Sequence, residues 1–154
     1  MADGSTPDTT SDPTLDNRRR SGPGRVLIAV YGVFALAAGA RAGVQIATRF
    51  HEAPVAYLLS AFAAAVYIVA TVTLARSGRT SYRIAVGSCT IELIGVITVG
   101  TYSLTDSAAF PDATVWSGYG SGYGFVPLVL PVIGLWWLRR VRRRTAVGET
   151  SGPG

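Results

Sequence analysis

The stretch PVAYLLSAFAAAVYIVATVTLA, residues 54–75, decides the fold. It runs for 22 residues without a charged side chain. At 1.5 Å per residue, a helix of this length is roughly 33 Å long, which is enough to cross the ~30 Å hydrocarbon core of a bilayer. A soluble domain distributes charge along every amphipathic helix, and this stretch has none to distribute. The sequence therefore predicts a transmembrane helix here.

The composition extends this interpretation to the whole chain. Apolar residues make up 49% of the 154 residues and charged residues 15%, whereas soluble domains carry about 25% charged residues. Between residues 26 and 137 the charges nearly vanish from long stretches, whereas the two ends of the chain are polar. This uneven distribution indicates that lipid, and not water, surrounds the middle of the chain.

Three further apolar runs flank the first stretch and complete a predicted membrane domain over residues 25–144. The last apolar run, residues 125–138, has only 14 residues, or about 21 Å of helix. A span needs about 20 residues, so we expect the fourth helix to begin near residue 120. The predicted helices cover residues 26–48, 54–75, 82–104 and 120–142.

The polar ends lack the apolar side chains that a packed core requires. Residues 1–24 and 145–154 are therefore predicted to be disordered cytoplasmic tails. The beginning of the chain also has the three parts of a secretory signal peptide: arginines at 18–20, an apolar run over 26–36, and Ala-Gly-Ala at 38–40. The apolar run continues to Ala47, which favours an uncleaved first helix, and both alternatives stay open.

Arginine placement predicts the orientation of the four helices. The chain has 14 basic residues, all arginine, and 12 of them fall on one side of the predicted membrane domain. The positive-inside rule makes that side cytoplasmic. The sequence thus predicts an all-α, four-helix transmembrane bundle in the plasma membrane, with both termini in the cytoplasm. The 12 are Arg18, Arg19, Arg20, Arg25, Arg76, Arg79, Arg83, Arg139, Arg140, Arg142, Arg143 and Arg144.

Glu92 is the strongest candidate for a functional residue. It lies near the middle of the predicted third helix, where an ionisable side chain is costly and is a functional hypothesis by default. Ser88 and Gly95 share its helical stripe, which predicts that Glu92 faces the bundle interior. Two interpretations stay open: a proton or cation site, or a structural hydrogen-bonded carboxyl.

Arg41 and Gln45 interrupt the first predicted helix and share one face of it. By helix rise, Arg41 lies in the outer third of the span, about 8 Å from the depth of Glu92. Its side chain either extends outward to the membrane boundary or reaches inward to pair with Glu92. The sequence leaves both possibilities open.

Other motifs point to no catalytic chemistry. With one His and one Cys, the chain has no metal-ligand spacing, and it contains no Ser/His/Asp set, carboxylate pair or phosphate loop. The segment SGYGSGYG, residues 117–124, invites comparison with the TVGYG loop of potassium filters, but Trp116-Ser117 stands where Thr-Val belongs. We interpret it as an interfacial turn. We therefore expect no enzyme activity, no cofactor, no metal and no nucleic-acid partner.

The carboxy-terminal quarter resembles known proteins. The run from Trp116 through Phe125-Val126-Pro127-Leu128, then Pro131 and Gly134-Leu135-Trp136-Trp137-Leu138-Arg139-Arg140, resembles a group of small actinobacterial integral membrane proteins. The resemblance implies four helices across the membrane and supplies no activity or site residue.

Two classes of function are consistent with these observations. The first is an accessory or scaffold subunit whose partners are the lipid bilayer and another membrane protein or a second copy. The second is a small homo-oligomeric transporter or channel that uses Glu92 as an intramembrane ionisable site. The small number of polar residues within the spans favours the first class.

The orientation predicts a simple reporter pattern. A reporter enzyme that is active only outside the cytoplasm should be inactive when fused after Arg144, because that end lies among the cytoplasmic arginines. The same reporter inserted after Glu52, between the first two helices, should be active. Activity at the first position together with inactivity at the second would reverse the topology.

Overall fold

The computed structural model describes residues 22–106 and 111–149, with side chains up to residue 143. Within these ranges the chain forms four α-helices and one short 3-10 helix, and no strand. Helices α1 (Gly22–Arg49), α2 (Pro54–Ala75) and α3 (Arg79–Thr105) follow one another through short turns, and α4 covers Val126–Glu149. The 3-10 helix, Ser117–Tyr123, precedes α4. The described residues therefore confirm the all-α class.

The expected tails fall mainly beyond the part of the chain that the structure describes. Of the tail expected over residues 1–24, residues 1–21 lie outside the described residues, and the last three belong to α1. Of the tail expected over 145–154, residues 145–149 belong to α4, and 150–154 lie outside.

Helices α1, α2 and α3 are each long and apolar enough to cross a membrane. The fourth crossing is different, because the 3-10 helix and α4 reach this length only as a pair, bent by 98° at the break between them. The chain therefore has three such helices, or four if the bent pair is one span.

Backbone conformation explains why α4 begins at Val126 and not near residue 120. Gly118, Tyr119 and Gly120 have φ of 55°, 59° and 78°, and Gly124 and Phe125 have φ of 63° and 60°. These left-handed conformations cannot continue a right-handed helix, and glycine adopts them at least cost. The alternating glycines that suggested an interfacial turn thus delay the helix by six residues (126 − 120). Pro127 then lies in the first turn of α4, where its missing N–H is tolerated.

The packing places small side chains inside and large apolar ones outside. Alanines dominate the buried positions of α1 and α2, whereas many Leu, Ile and Val side chains are half or more exposed. Soluble proteins bury such residues, and small residues at helix contacts are typical of membrane bundles. The large exposed side chains include Val33, Leu36, Val44, Leu58, Ile68, Ile94 and Leu104.

Hydroxyl groups on the exposed faces bond to their own helices. Thr48, Thr73, Thr90 and Thr101 each donate to the backbone carbonyl four residues earlier, at 2.7 to 2.8 Å. In lipid no water is present to satisfy such groups, so this local bond removes the cost of exposing a hydroxyl to hydrocarbon. The exposed surface of the helices is therefore compatible with a bilayer.

A GxxxG motif in α1, formed by Gly39 and Gly43, contributes to packing within the chain. A Cβ atom placed on Gly39 would lie 3.9 Å from the Cβ atom of Ala64 in α2, whereas one on Gly43 would meet nothing within 4 Å. Gly39 therefore lets α1 and α2 approach closely. The first glycine of the motif therefore packs against α2 of the same chain, and the second faces open space.

Trp116 is inserted between α2 and α3. Its side chain is 2% exposed, and its indole Nε1 donates to the hydroxyl oxygen of Tyr67 at 3.0 Å. The ring lies directly over Gly95, because a Cβ atom there would come within 2.5 Å of it. The chain before α4 therefore folds back and buries the ring in the bundle.

The contact between the Trp116 ring and Gly95 can be tested by mutations within α3. Gly95→Ala should lower the free energy of unfolding by about 1–3 kcal/mol, because the new methyl group overlaps the buried indole. Gly87→Ala is the matched control: a Cβ atom there meets nothing within 4 Å, and alanine is the better helix former. Thermal melting in detergent measures both. Equal melting temperatures for the two variants would contradict the insertion of Trp116.

Candidate functional site

Glu92 is the central residue of α3, with 13 residues on each side (92 − 79 and 105 − 92). It is therefore about 20 Å from either end of the helix. Its side chain is 0% exposed. Ser88 and Val99 on the same stripe are also buried, whereas Tyr102 at the end of the stripe is 51% exposed. The structure thus confirms that Glu92 faces the interior, at the middle of a helix long enough to cross a membrane.

Tyr31 of α1 holds the carboxyl group from the opposite side of the bundle. Its hydroxyl donates to Glu92 Oε2 at 2.7 Å and lies 3.4 Å from Cys89 Sγ. Since the single hydroxyl proton goes to Glu92, the Cys89 thiol is the donor in the second contact. A chain of three groups therefore runs from thiol to hydroxyl to carboxyl, and both Tyr31 and Cys89 are 0% exposed.

The second carboxyl oxygen of Glu92 is unpartnered. Oε1 is buried and has no hydrogen-bonding partner among residues 22–106 and 111–149. Most buried polar atoms in folded proteins have a partner, and an atom that lacks one requires an explanation. A small cation on this oxygen or an ordered water beside it would supply the missing interaction, and a proton on it would remove the buried charge.

A group of aromatic rings covers the carboxyl on the side of α2. The Tyr67 ring lies 6.2 Å from that of Tyr31, and the Phe34 ring contacts Tyr67 edge-on at 5.8 Å. Tyr123, from the segment before α4, contacts the other side of Phe34 at 5.9 Å. Phe34 therefore separates two tyrosines, and it is the one ring of this group without a hydroxyl.

The other side chains of the predicted site lie at two different depths. Ser88 is buried one turn before Glu92, but the hydroxyl of Tyr31 bonds to Glu92 and Cys89 and not to Ser88. Gln45 lies one turn beyond Arg41 in α1, and its Oε1 is buried without a partner in the described part of the chain. Ser88 therefore lies near Glu92 along α3, whereas Gln45 lies with Arg41 toward the end of α1.

Arg41 does not reach Glu92. Its guanidinium donates to the Tyr123 hydroxyl at 2.8 Å and to the Ala113 carbonyl at 3.2 Å, both near the end of the bundle opposite the arginine-rich one. Of the two possibilities that the sequence left open, the structure favours the outward one. The side chain extends to protein groups at the helix end, and Glu92 has no charged partner in the described ranges.

Sequence reasoning missed Tyr31, Tyr67 and Trp116 as parts of the site. The tyrosines are far from the ends of their helices, where aromatic side chains with a polar atom usually lie in membrane proteins. A tyrosine in the middle of a span needs a partner for its hydroxyl, and this is the signal that identifies it. The carboxyl at Glu92 and the indole of Trp116 meet that need here.

No three His, Cys, Asp or Glu side chains come together in residues 22–106 and 111–149 as they would around a metal ion. Comparisons of the chain with protein-family models, with curated proteins and with solved structures find no match. The interpretation of the site therefore depends on its geometry.

The Tyr31–Glu92 bond generates the prediction for this site. Tyr31→Phe should lower the free energy of unfolding by about 1–3 kcal/mol, because it leaves a buried carboxyl oxygen without its donor. Tyr82→Phe is the control, since the Tyr82 hydroxyl makes no hydrogen bond to the described residues and its ring remains under Arg142. Thermal melting in detergent of Tyr31→Phe, Glu92→Gln and the double variant forms a double-mutant cycle, which measures the coupling between the two side chains. Additive losses in the double variant would contradict the contact.

Proposed function

We propose that this chain is a plasma-membrane transport protein that binds and releases a proton at Glu92, with both termini in the cytoplasm. One observation carries the proposal: a carboxyl at the centre of an apolar bundle has one oxygen held by Tyr31 and the other unpartnered. Ionisable groups at this depth commonly mark proton or ion pathways. The arginine asymmetry supports the orientation.

A single protomer supplies the whole environment of the carboxyl. Helix α1 contributes Tyr31, α2 contributes Tyr67, and α3 contributes Glu92 and Cys89. Helix α4 contributes Gly134, where a Cβ atom would lie 3.0 Å from Cys89 Sγ and 3.5 Å from the Tyr31 hydroxyl. All four helices therefore meet around the site, which supports proton binding within one copy, and the homo-oligomer that the sequence suggested stays an alternative.

The aromatic group supports a gated site. Tyr123 and Tyr67 carry hydroxyls on the two sides of Phe34, and Tyr31 continues the row to the carboxyl. A proton moving along hydroxyl groups would be stopped at the apolar ring. In this conformation the site is closed toward Arg41, and a displacement of Phe34 would open it.

A second candidate is an accessory or scaffold subunit acting on another membrane protein or a second copy within the bilayer. The closure of the bundle around Glu92 favours it, since the carboxyl then serves as a hydrogen-bond acceptor that fixes the packing of α1 against α3. Under either candidate we propose no enzymatic activity, no cofactor and no nucleic-acid partner. Co-purification of a stable partner from native membrane in mild detergent would support this second candidate.

Proton flux into liposomes tests the first candidate. The wild-type protein, reconstituted with a pH-sensitive dye inside and a membrane potential imposed, should acidify the interior faster than empty liposomes do. Glu92→Gln should abolish this excess flux, because the amide keeps the shape and an acceptor oxygen but does not ionise, so it cannot alternate between a protonated and a charged form.

Glu52→Gln is the matched control, as it removes an exposed carboxyl from the turn between α1 and α2. It should conduct like the wild type, and all three proteins should melt within a few degrees of one another. Flux that survives Glu92→Gln, or a wild-type protein no faster than empty liposomes, would contradict transport through this site.

A further inference from the structure

A second polar site lies at the end of the bundle opposite the arginine-rich one. An open cleft of about 560 Å³ lies between residues 111–123 and the last turns of α1 and α3. This volume is within the range of small-molecule sites. We call it the Arg41 cleft. Its lining includes Arg41, Ser103, Thr114, Ser117, Ser121 and Tyr123.

Arg41 brings an uncompensated positive charge to the cleft. Both of its hydrogen bonds to described residues go to neutral oxygens, the hydroxyl of Tyr123 and the carbonyl of Ala113. A guanidinium has five N–H donors, so three remain after these two contacts. The neighbouring carboxylate of Asp112 accepts from the Tyr57 hydroxyl at 2.5 Å. None of the described residues that line the cleft is acidic.

Two further side chains have donors to spare. Tyr123 accepts from Arg41, and its own hydroxyl proton has no acceptor in the described part of the chain. Ser121 is exposed, and its hydroxyl makes no hydrogen bond there. By contrast, Ser103 donates to the Gly100 carbonyl, and Ser117 and Thr114 bond to each other. Spare donors therefore belong to Arg41, Tyr123 and Ser121, and one further hydroxyl proton belongs to the Thr114–Ser117 pair, in which only one hydroxyl can donate to the other.

We propose that the Arg41 cleft binds an oxyanion of phosphate type, with the Arg41 guanidinium as its charged anchor and Ser121 and Tyr123 as additional donors. The fork of a guanidinium matches the oxygens of a phosphate group, and charge-assisted bonds of this kind are the stronger ones. The phosphate belongs either to a soluble compound or to the headgroup of a membrane lipid, because both present the same oxygens at this depth. This site shares Tyr123 with the aromatic row that leads to Glu92, but its lining does not include Glu92.

A calorimetric titration with inorganic phosphate tests the soluble source. It uses the purified full chain in a phosphate-free zwitterionic detergent. Retention of phosphatidylglycerol tests the lipid source. Native mass spectrometry counts the lipid molecules that stay bound after exchange from mixed micelles. Arg41→Gln should weaken whichever binding occurs by about tenfold or more, and Ser121→Ala by about fivefold. Ser121→Ala keeps the test valid if Arg41→Gln fails to fold, since that hydroxyl supports no described contact.

Arg49→Gln is the matched control, because it removes the same charge from an exposed position at the same end of the bundle. It and Glu92→Gln should bind like the wild type. Phosphate binding that depends on Arg41 and Ser121 identifies a soluble ligand, and lipid retention with the same dependence identifies a headgroup. Absence of both, or equal losses for Arg49→Gln and Arg41→Gln, would overturn the proposal.

Discussion

The hydrogen bond from the Tyr31 hydroxyl to Glu92 Oε2 is the interaction on which the rest of the structure depends. It joins α1 to α3 across the centre of the bundle, where both partners are buried away from bulk solvent. Loss of the donor would leave a carboxyl in an apolar interior, a much larger penalty than loss of the same bond in solvent. The bond therefore fixes the relative positions of the two helices as well as the orientation of the carboxyl.

The surrounding packing follows from this requirement. Small residues let the helices approach closely enough for Tyr31 and Tyr67 to reach inward, and Gly134 leaves room beside Cys89 and the hydroxyl. Trp116 supplies the donor for the Tyr67 oxygen, so the tyrosine in α2 is also satisfied. The two polar sites, at Glu92 and at Arg41, are then separated by the apolar ring of Phe34, which gives each site its own surroundings.

The sequence predicts the helices well and the site only in part. The charge-free run of α2 and the interior stripe of Glu92 follow from composition and helical period, which are local properties. The start of α4 and the burial of Trp116 do not, because they depend on left-handed backbone at Gly118, Tyr119 and Gly120 and on the open surface of Gly95. The partner of Glu92 is 61 residues away in sequence, and no local pattern joins them.

Infrared difference spectroscopy of the reconstituted protein between acid and alkaline pH tests most directly whether Glu92 exchanges a proton. A protonated carboxyl has a carbonyl stretching band that the ionised form lacks. We predict that such a band appears and disappears with pH, that it is missing from Glu92→Gln, and that Tyr31→Phe shifts its frequency by removing the hydrogen bond. A pH-dependent carboxyl band that is identical in the wild type and in Glu92→Gln, or the absence of any such band, would contradict the account.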